Sequence, residues 1–187
     1  LLSCALVALG TTLSSFWILA NNSWMQVPVG HAIDAAGRIV PTDWRKIIGG
    51  HVFLTRWLHM LLAAYLTTAT VVAATGAWYT LKSIHKTMAR AMLIWGMGLM
   101  AVLTPIQIGF GHLAGEIIRD HQPGKFAAVE GRWESGTRAA LIVAAWPDNQ
   151  AERNRFEISI PVLGSIVDSG NPDSYQRGIK DVPADER

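Results

Sequence analysis

Between Leu58 and Tyr79 the chain runs without a single aspartate, glutamate, lysine or arginine. A helix needs about 20 mainly apolar residues to cross the hydrocarbon core of a bilayer. Only a helix or a closed barrel satisfies its own backbone there, and the run lacks the alternation of a barrel strand. A membrane helix is therefore predicted over 51–81. Two further uncharged stretches, Leu1 to Ala20 and Ala91 to Phe110, are long enough to span as well. Half of the 187 residues are hydrophobic and the mean hydropathy is +0.25, high for a soluble domain. The expected fold is an all-α membrane protein, a helical-bundle fragment. Residues 1–110 hold three transmembrane helices, at about 1–20, 51–81 and 88–110. A mostly irregular extracytoplasmic loop with one amphipathic helix follows at 111–187.

Within that uncharged run, His59 is the one side chain that can take up charge near neutral pH. At about 100° per residue, His59, Ala63, Thr70, Ala73 and Ala77 share a narrow face. A histidine heading a stripe of small residues suits a large flat group lying along the helix, and a haem with imidazole as axial ligand is the leading candidate. The same pattern also suits a neighbouring helix approaching closely, with the histidine hydrogen-bonding across the contact. Arg56, one turn nearer the surface, can meet a haem propionate or snorkel to lipid headgroups.

The net charge of +2 and the scattered basic residues argue against a nucleic-acid partner. Cys4 is the sole cysteine, so no intrachain disulfide and no cysteine-based metal site is expected. Leu1 already lies in apolar sequence with no basic region ahead of it, the pattern of a chain cut inside a helix rather than of a signal peptide. Thr11, Thr12, Ser14 and Ser15 cluster in the first span; such hydroxyls bond back to their own helix or across to another, and Thr11 can also line a proton path. Trp17, Trp24, Trp78 and Tyr79 suit interfacial belts. The stretch 27–50, with Pro28 and Pro41, reads as a surface loop with one short helix. Gly96 and Gly98 suit close packing in the third span.

Lys82, His85, Lys86 and Arg90 fill a short connection without an acid, which the positive-inside rule puts in the cytoplasm. The loop 21–50, the His59 end of its helix and everything after Gly111 are then outside. In that outer C-terminal stretch, Pro123 and Gly124 lead into KFAAVEGRWE, a predicted helix closed by Gly136. Phe126, Val129 and Trp133 would share its face, with Lys125 and Arg132 on one flank and Glu130 and Glu134 on the other. The alternation from Arg155 to Ile160 predicts an extended piece, and 171–187 reads as loop. His51, His85 and His112 at span ends, and His31 and His121 in loops, are read as surface residues.

Three motifs, SSFWILANNSWMQVPVG (14–30), RWLH followed by GAWY (56–79) and GKFAAVEGRWE (124–134), together resemble subunit I of the cytochrome bd-type quinol oxidases. Their order and spacing fit, and the similarity covers nearly the whole chain. The tail GIKDVPADER is similar to that of members with a short quinol loop. The resemblance implies a haem-binding subunit of a bacterial inner-membrane respiratory enzyme. Such an enzyme oxidises quinol outside the membrane and reduces oxygen to water, using two b-type haems and haem d, beside a subunit II and membrane lipid. It implies His59 as the ligand of the low-spin haem b, and Lys125 and Glu130 as residues of quinol oxidation. Thr11 falls where a serine of a proposed proton path often stands. The other axial ligand of that haem, and the ligands of the high-spin haems, are expected outside this stretch. Gly111-His112 departs from the Gly-Asp common in the family, which leaves that aspartate's role unfilled.

Two other functions are compatible with the residues alone. In one the protein is a haem-free membrane scaffold, with His59 bonding a neighbouring helix and the outer loop docking a partner. In the other it is a b-type haem electron carrier, which ordinarily presents paired histidines inside its spans.

Overall fold

The computed structural model describes residues 1–183, so Ala184 to Arg187, the end of the GIKDVPADER motif, lie outside the described residues. The chain divides into two compact units, Leu1–Ala114 and a second beginning at Gly115.

Unit one is built on three long helices, α1 (Leu2–Gln26), α3 (His51–Leu81) and α4 (Lys86–His121), the last of which continues into the second unit. Each is long and apolar enough to cross a membrane. Two of them outrun the expected spans. Asn21 and Asn22 do not stop α1, and α4 continues past Phe110 because no proline or capping signal intervenes before Gln122-Pro123. The threonines of α3 cost little in an apolar setting, because Thr67, Thr68, Thr70 and Thr75 each donate to the carbonyl four residues back.

Between α1 and α3 lie a short antiparallel pair, β1 (His31–Ile33) with β2 (Ile39–Pro41), and α2 (Trp44–Gly49). Asp34 closes the β1–β2 turn by accepting the N–H groups of Ala36 and Arg38, and Asp43 caps α2 by accepting those of Arg45 and Lys46.

Aromatic rings hold α1 to α3. Phe16 meets Phe53 and Trp57 edge-on at centroid separations of 4.9 and 5.3 Å, and the Trp57 indole N–H donates to Ser15 Oγ at 3.2 Å. The other seam, α3 with α4, is closed by small residues. A Cβ built on Gly76 would lie 2.9 Å from the Ala89 carbonyl oxygen, and one on Gly96 only 2.8 Å from that of Ala69. The backbones approach as closely as membrane helices do at such residues.

The second unit was expected to be mostly irregular with one helix; it contains more. A short helix α5 (Pro123–Val129) precedes the antiparallel hairpin β3 (Leu141–Asp148) and β4 (Arg153–Ile160), then α6 (Leu163–Ser169) and a 3-10 turn (Ile179–Asp181). β4 contains the predicted alternating stretch. β3, LIVAAWPD, escapes a period-2 reading because the register shifts twice, between Ile142 and Ala144 and between Ala144 and Trp146. The core of this unit includes Phe126, Ala127, Ser165 and Val182.

Candidate functional site

His59 sits on α3 facing α4. The Gln107 amide nitrogen lies 3.3 Å from its Nε2, and in the tautomer protonated at Nδ1 the amide N–H donates to that nitrogen. Nδ1 is then a buried donor with no partner, and the Gln107 carbonyl oxygen is likewise unsatisfied. Gly111 gives the ring its room: a Cβ there would stand 3.3 Å from Cε1. Nothing in the sequence singled out Gln107 as a partner of His59.

The face below His59 is not open along its length, as a flat group along the whole stripe would require. Ala73 packs against Gly96, and Thr70 Oγ1 lies 3.7 Å from Met100 Sδ. The small residues serve helix–helix approach on the lower half, as the alternative reading of the stripe held. At the upper end, the contact holds equally with Nε2 protonated and the Gln107 amide turned so that its oxygen accepts, and Nδ1 then carries the free, buried lone pair that an axial haem ligand needs. His59 therefore fits such a group, and the lower stripe does not extend the fit.

Arg56 points elsewhere. Its guanidinium donates to Asn22 Oδ1 at 2.6 Å and to Ser23 Oγ at 3.2 Å, tying α3 to the last turns of α1. Neither lipid nor a propionate is needed to satisfy those two N–H groups. Thr11 is exposed, and its hydroxyl bonds the Val7 and Ala8 carbonyls of its own helix at 2.9 and 3.0 Å.

In the second unit the expected helical face over 125–134 is broken. α5 stops at Val129, and Gly131 adopts φ +63°, a left-handed conformation that glycine takes without steric cost. Phe126 turns into the core, while Val129 and Trp133 both line a cleft of about 670 Å³. Glu130 lines that cleft together with Ile142, Ala144 and Pro147 of β3. Lys125 is exposed on α5 and is not among the lining residues. Asn154 of β4, unremarkable in the sequence, fastens the wall: its Oδ1 accepts from the Trp133 indole at 2.9 Å and its amide donates to the Gly131 carbonyl at 2.8 Å.

Glu130 is half-buried, and its carboxyl is held above the ordinary glutamate range. Burial contributes most and the Asp168 carboxylate adds to it, while the Arg132 guanidinium partly offsets both. An acid of this kind, beside apolar side chains, holds a proton more readily than a solvated glutamate and can still release it.

Three helices long and apolar enough to cross a membrane, with a part-buried histidine at one helix seam, define a multi-pass membrane protein, and its second unit carries a cleft with a perturbed carboxyl. The chain belongs to the cytochrome bd terminal oxidase subunit I family, whose description matches residues 1–187. It is 33% identical over 184 residues to the Escherichia coli (strain K12) cytochrome bd-II ubiquinol oxidase subunit 1, covering 96% of this chain and 35% of that protein. To the Bacillus subtilis (strain 168) cytochrome bd ubiquinol oxidase subunit 1 it is 32% identical over 182 residues, covering 96% and 38%. Among solved structures, the bd oxidase from Geobacillus thermodenitrificans superposes with a TM-score of 0.84 at 28% identity, over 97% of this chain and 41% of that one. The chain thus spans about two-fifths or less of the length of these relatives.

Proposed function

We propose that this chain is the quinol-side portion of the haem-binding subunit of a terminal respiratory oxidase of a bacterial inner membrane, working with a subunit II and lipid. The observation that carries the reading is Glu130, a carboxyl raised by burial in the wall of an apolar cleft, within a family motif. Quinol oxidation releases two electrons and two protons per molecule; two quinols supply the four electrons and oxygen takes four protons to become two waters. Apolar side chains such as Ile142 and Val129 cover the quinol ring and exclude water. Glu130 accepts a hydroxyl proton at its carboxylate and returns it to the outer solvent. Lys125 is assigned a bond to a quinol oxygen on the motif alone.

His59 holds the low-spin haem b through an imidazole nitrogen. When bound, that group would supply one-electron chemistry between quinol and the oxygen-reducing haems b and d that the family reading implies. Arg56 steadies the same end of α3 through Asn22 and Ser23, and a propionate contact is its second proposed role. Thr11 retains a proposed place on a proton path through the motif match. The basic turn Lys82 to Arg90 faces the cytoplasm, so the second unit is periplasmic and the released protons add to the gradient.

A second reading has its own observation. The His59–Gln107 contact is what a haem-free scaffold would use to hold α3 to α4.

In the complete oxidase, Glu130→Gln is expected to slow quinol oxidation by about 10²-fold or more, the scale of positioned acid–base help. The haem spectrum and electron input from an artificial donor that bypasses quinol should persist. Normal quinol turnover in this variant, with Lys125→Ala equally silent, would return the segment to a surface role.

A further inference from the structure

Behind the cleft wall lies an ion pair that the proposed chemistry has not used. Arg132 and Asp168 are only 6% and 7% exposed, and the guanidinium Nη2 donates to Asp168 Oδ2 at 3.0 Å. Arg132 Nη1 is buried with no partner. The pair is firmly framed: the Arg132 N–H donates to the Ala127 carbonyl, its own carbonyl accepts from Ile179, and Arg119 donates to the Asp168 carbonyl. A buried pair of this kind is weak as a source of stability, because desolvation offsets the attraction, and an unused buried N–H makes the balance worse.

We propose that Arg132 and Asp168 are positioning residues for Glu130, a charge clamp that sets how readily the proton acceptor of the cleft holds its proton. The inference rests on the reading of Glu130 as the acceptor in quinol oxidation. The guanidinium is paired with Asp168 and stands two residues along the chain from Glu130, close enough for both charges to be felt there. Arg132 favours the ionised Glu130 that can take a proton, and Asp168 opposes it and so favours uptake; together they keep the carboxyl poised for both steps.

The remaining charges around the cleft are otherwise engaged or at its rim. Glu134 of the same segment pairs with Lys180, and Arg155 of β4 with Asp148. Glu152 lines the cleft from the hairpin turn, Arg153 lies on β4, Lys125 is exposed on α5, and Arg119 is committed in part to Asp168. Asp168 raises and Arg132 lowers the hold of Glu130 on its proton.

The test is the acid limb of the pH profile of kcat/KM for quinol in the complete oxidase. Asp168→Asn leaves Arg132 to Glu130 alone, so the limb should move to lower pH by about one unit, about ten-fold in rate on that limb. Arg132→Gln should move it the other way, and Arg132→Lys should restore it toward the parent. If a variant is too slow to assay, the infrared carboxyl C=O band that disappears in Glu130→Gln reads the same titration without turnover. A merely structural pair predicts loss of stability with the titration unmoved. A Glu130-dependent limb that stays fixed in Asp168→Asn and Arg132→Gln overturns the clamp and leaves the acceptor reading standing. A limb that survives Glu130→Gln overturns the acceptor reading and the clamp with it.

Discussion

Glu130 and Glu134 lie in one motif, and burial separates their chemistry. Glu134 is exposed and pairs with Lys180; Glu130 is half-buried, with its carboxyl raised above the value of a free glutamate. The consequence for stability has a definite sign. A carboxyl with a raised folded-state pKa binds its proton more tightly when folded, so it favours the fold at pH below the unfolded value. That benefit is lost, and becomes a cost, as pH rises through the folded value. Glu130→Gln removes the cost, so the variant's melting temperature relative to the parent should rise between about pH 4.5 and neutrality, since the unfolded glutamate titrates near 4.3. A flat difference across that range would show that the carboxyl is solvated. The sequence indicates Glu130 through its apolar neighbours and its motif. It does not indicate Asp168, which reaches this wall from α6 through the fold alone, nor Asn154, which has no local signal at all.

At the scale of elements, the membrane helices were legible because length and apolarity decide them, whatever the neighbours do. Their ends were less so: α4 runs on to His121, and no residue before Gln122 forbids it. The hairpin of the second unit was half-legible, since β4 alternates while two register shifts in β3 erase the period. α5 was placed correctly at its start by Pro123 and overextended at its end, because an amphipathic count does not register that Gly131 turns left-handed. Gly96 and Gly98 looked equivalent as close-packing residues, and the structure separates them. A Cβ on Gly96 meets the Ala69 carbonyl oxygen at 2.8 Å and Ala73 Cβ at 2.9 Å, whereas one on Gly98 meets nothing within 4 Å. Gly96→Leu should therefore cost about 1–3 kcal/mol through overpacking of the α3–α4 seam, and Gly98→Leu much less. Thermal unfolding of the two variants side by side checks the distinction; equal losses would mean that the seam is elsewhere.

Across the whole molecule, the expected spans and the 14–30 and 56–79 motifs lie in the first unit, and the proposed quinol motif in the second. The family carries the general assignment, and the residues decide how much of it this stretch can deliver. His59 offers one imidazole, already in contact with Gln107. The lower stripe that seemed to extend a haem groove is instead a helix seam, because Gly96 draws the backbones together where a flat group would lie. The central claim, that this stretch receives electrons through His59, is tested most directly by the reduced-minus-oxidised absorption spectrum of the complete oxidase carrying His59→Ala. The account predicts loss of the low-spin haem b band with the bands of the other haems retained. An unchanged spectrum would contradict it and leave the His59–Gln107 contact as a bond between helices.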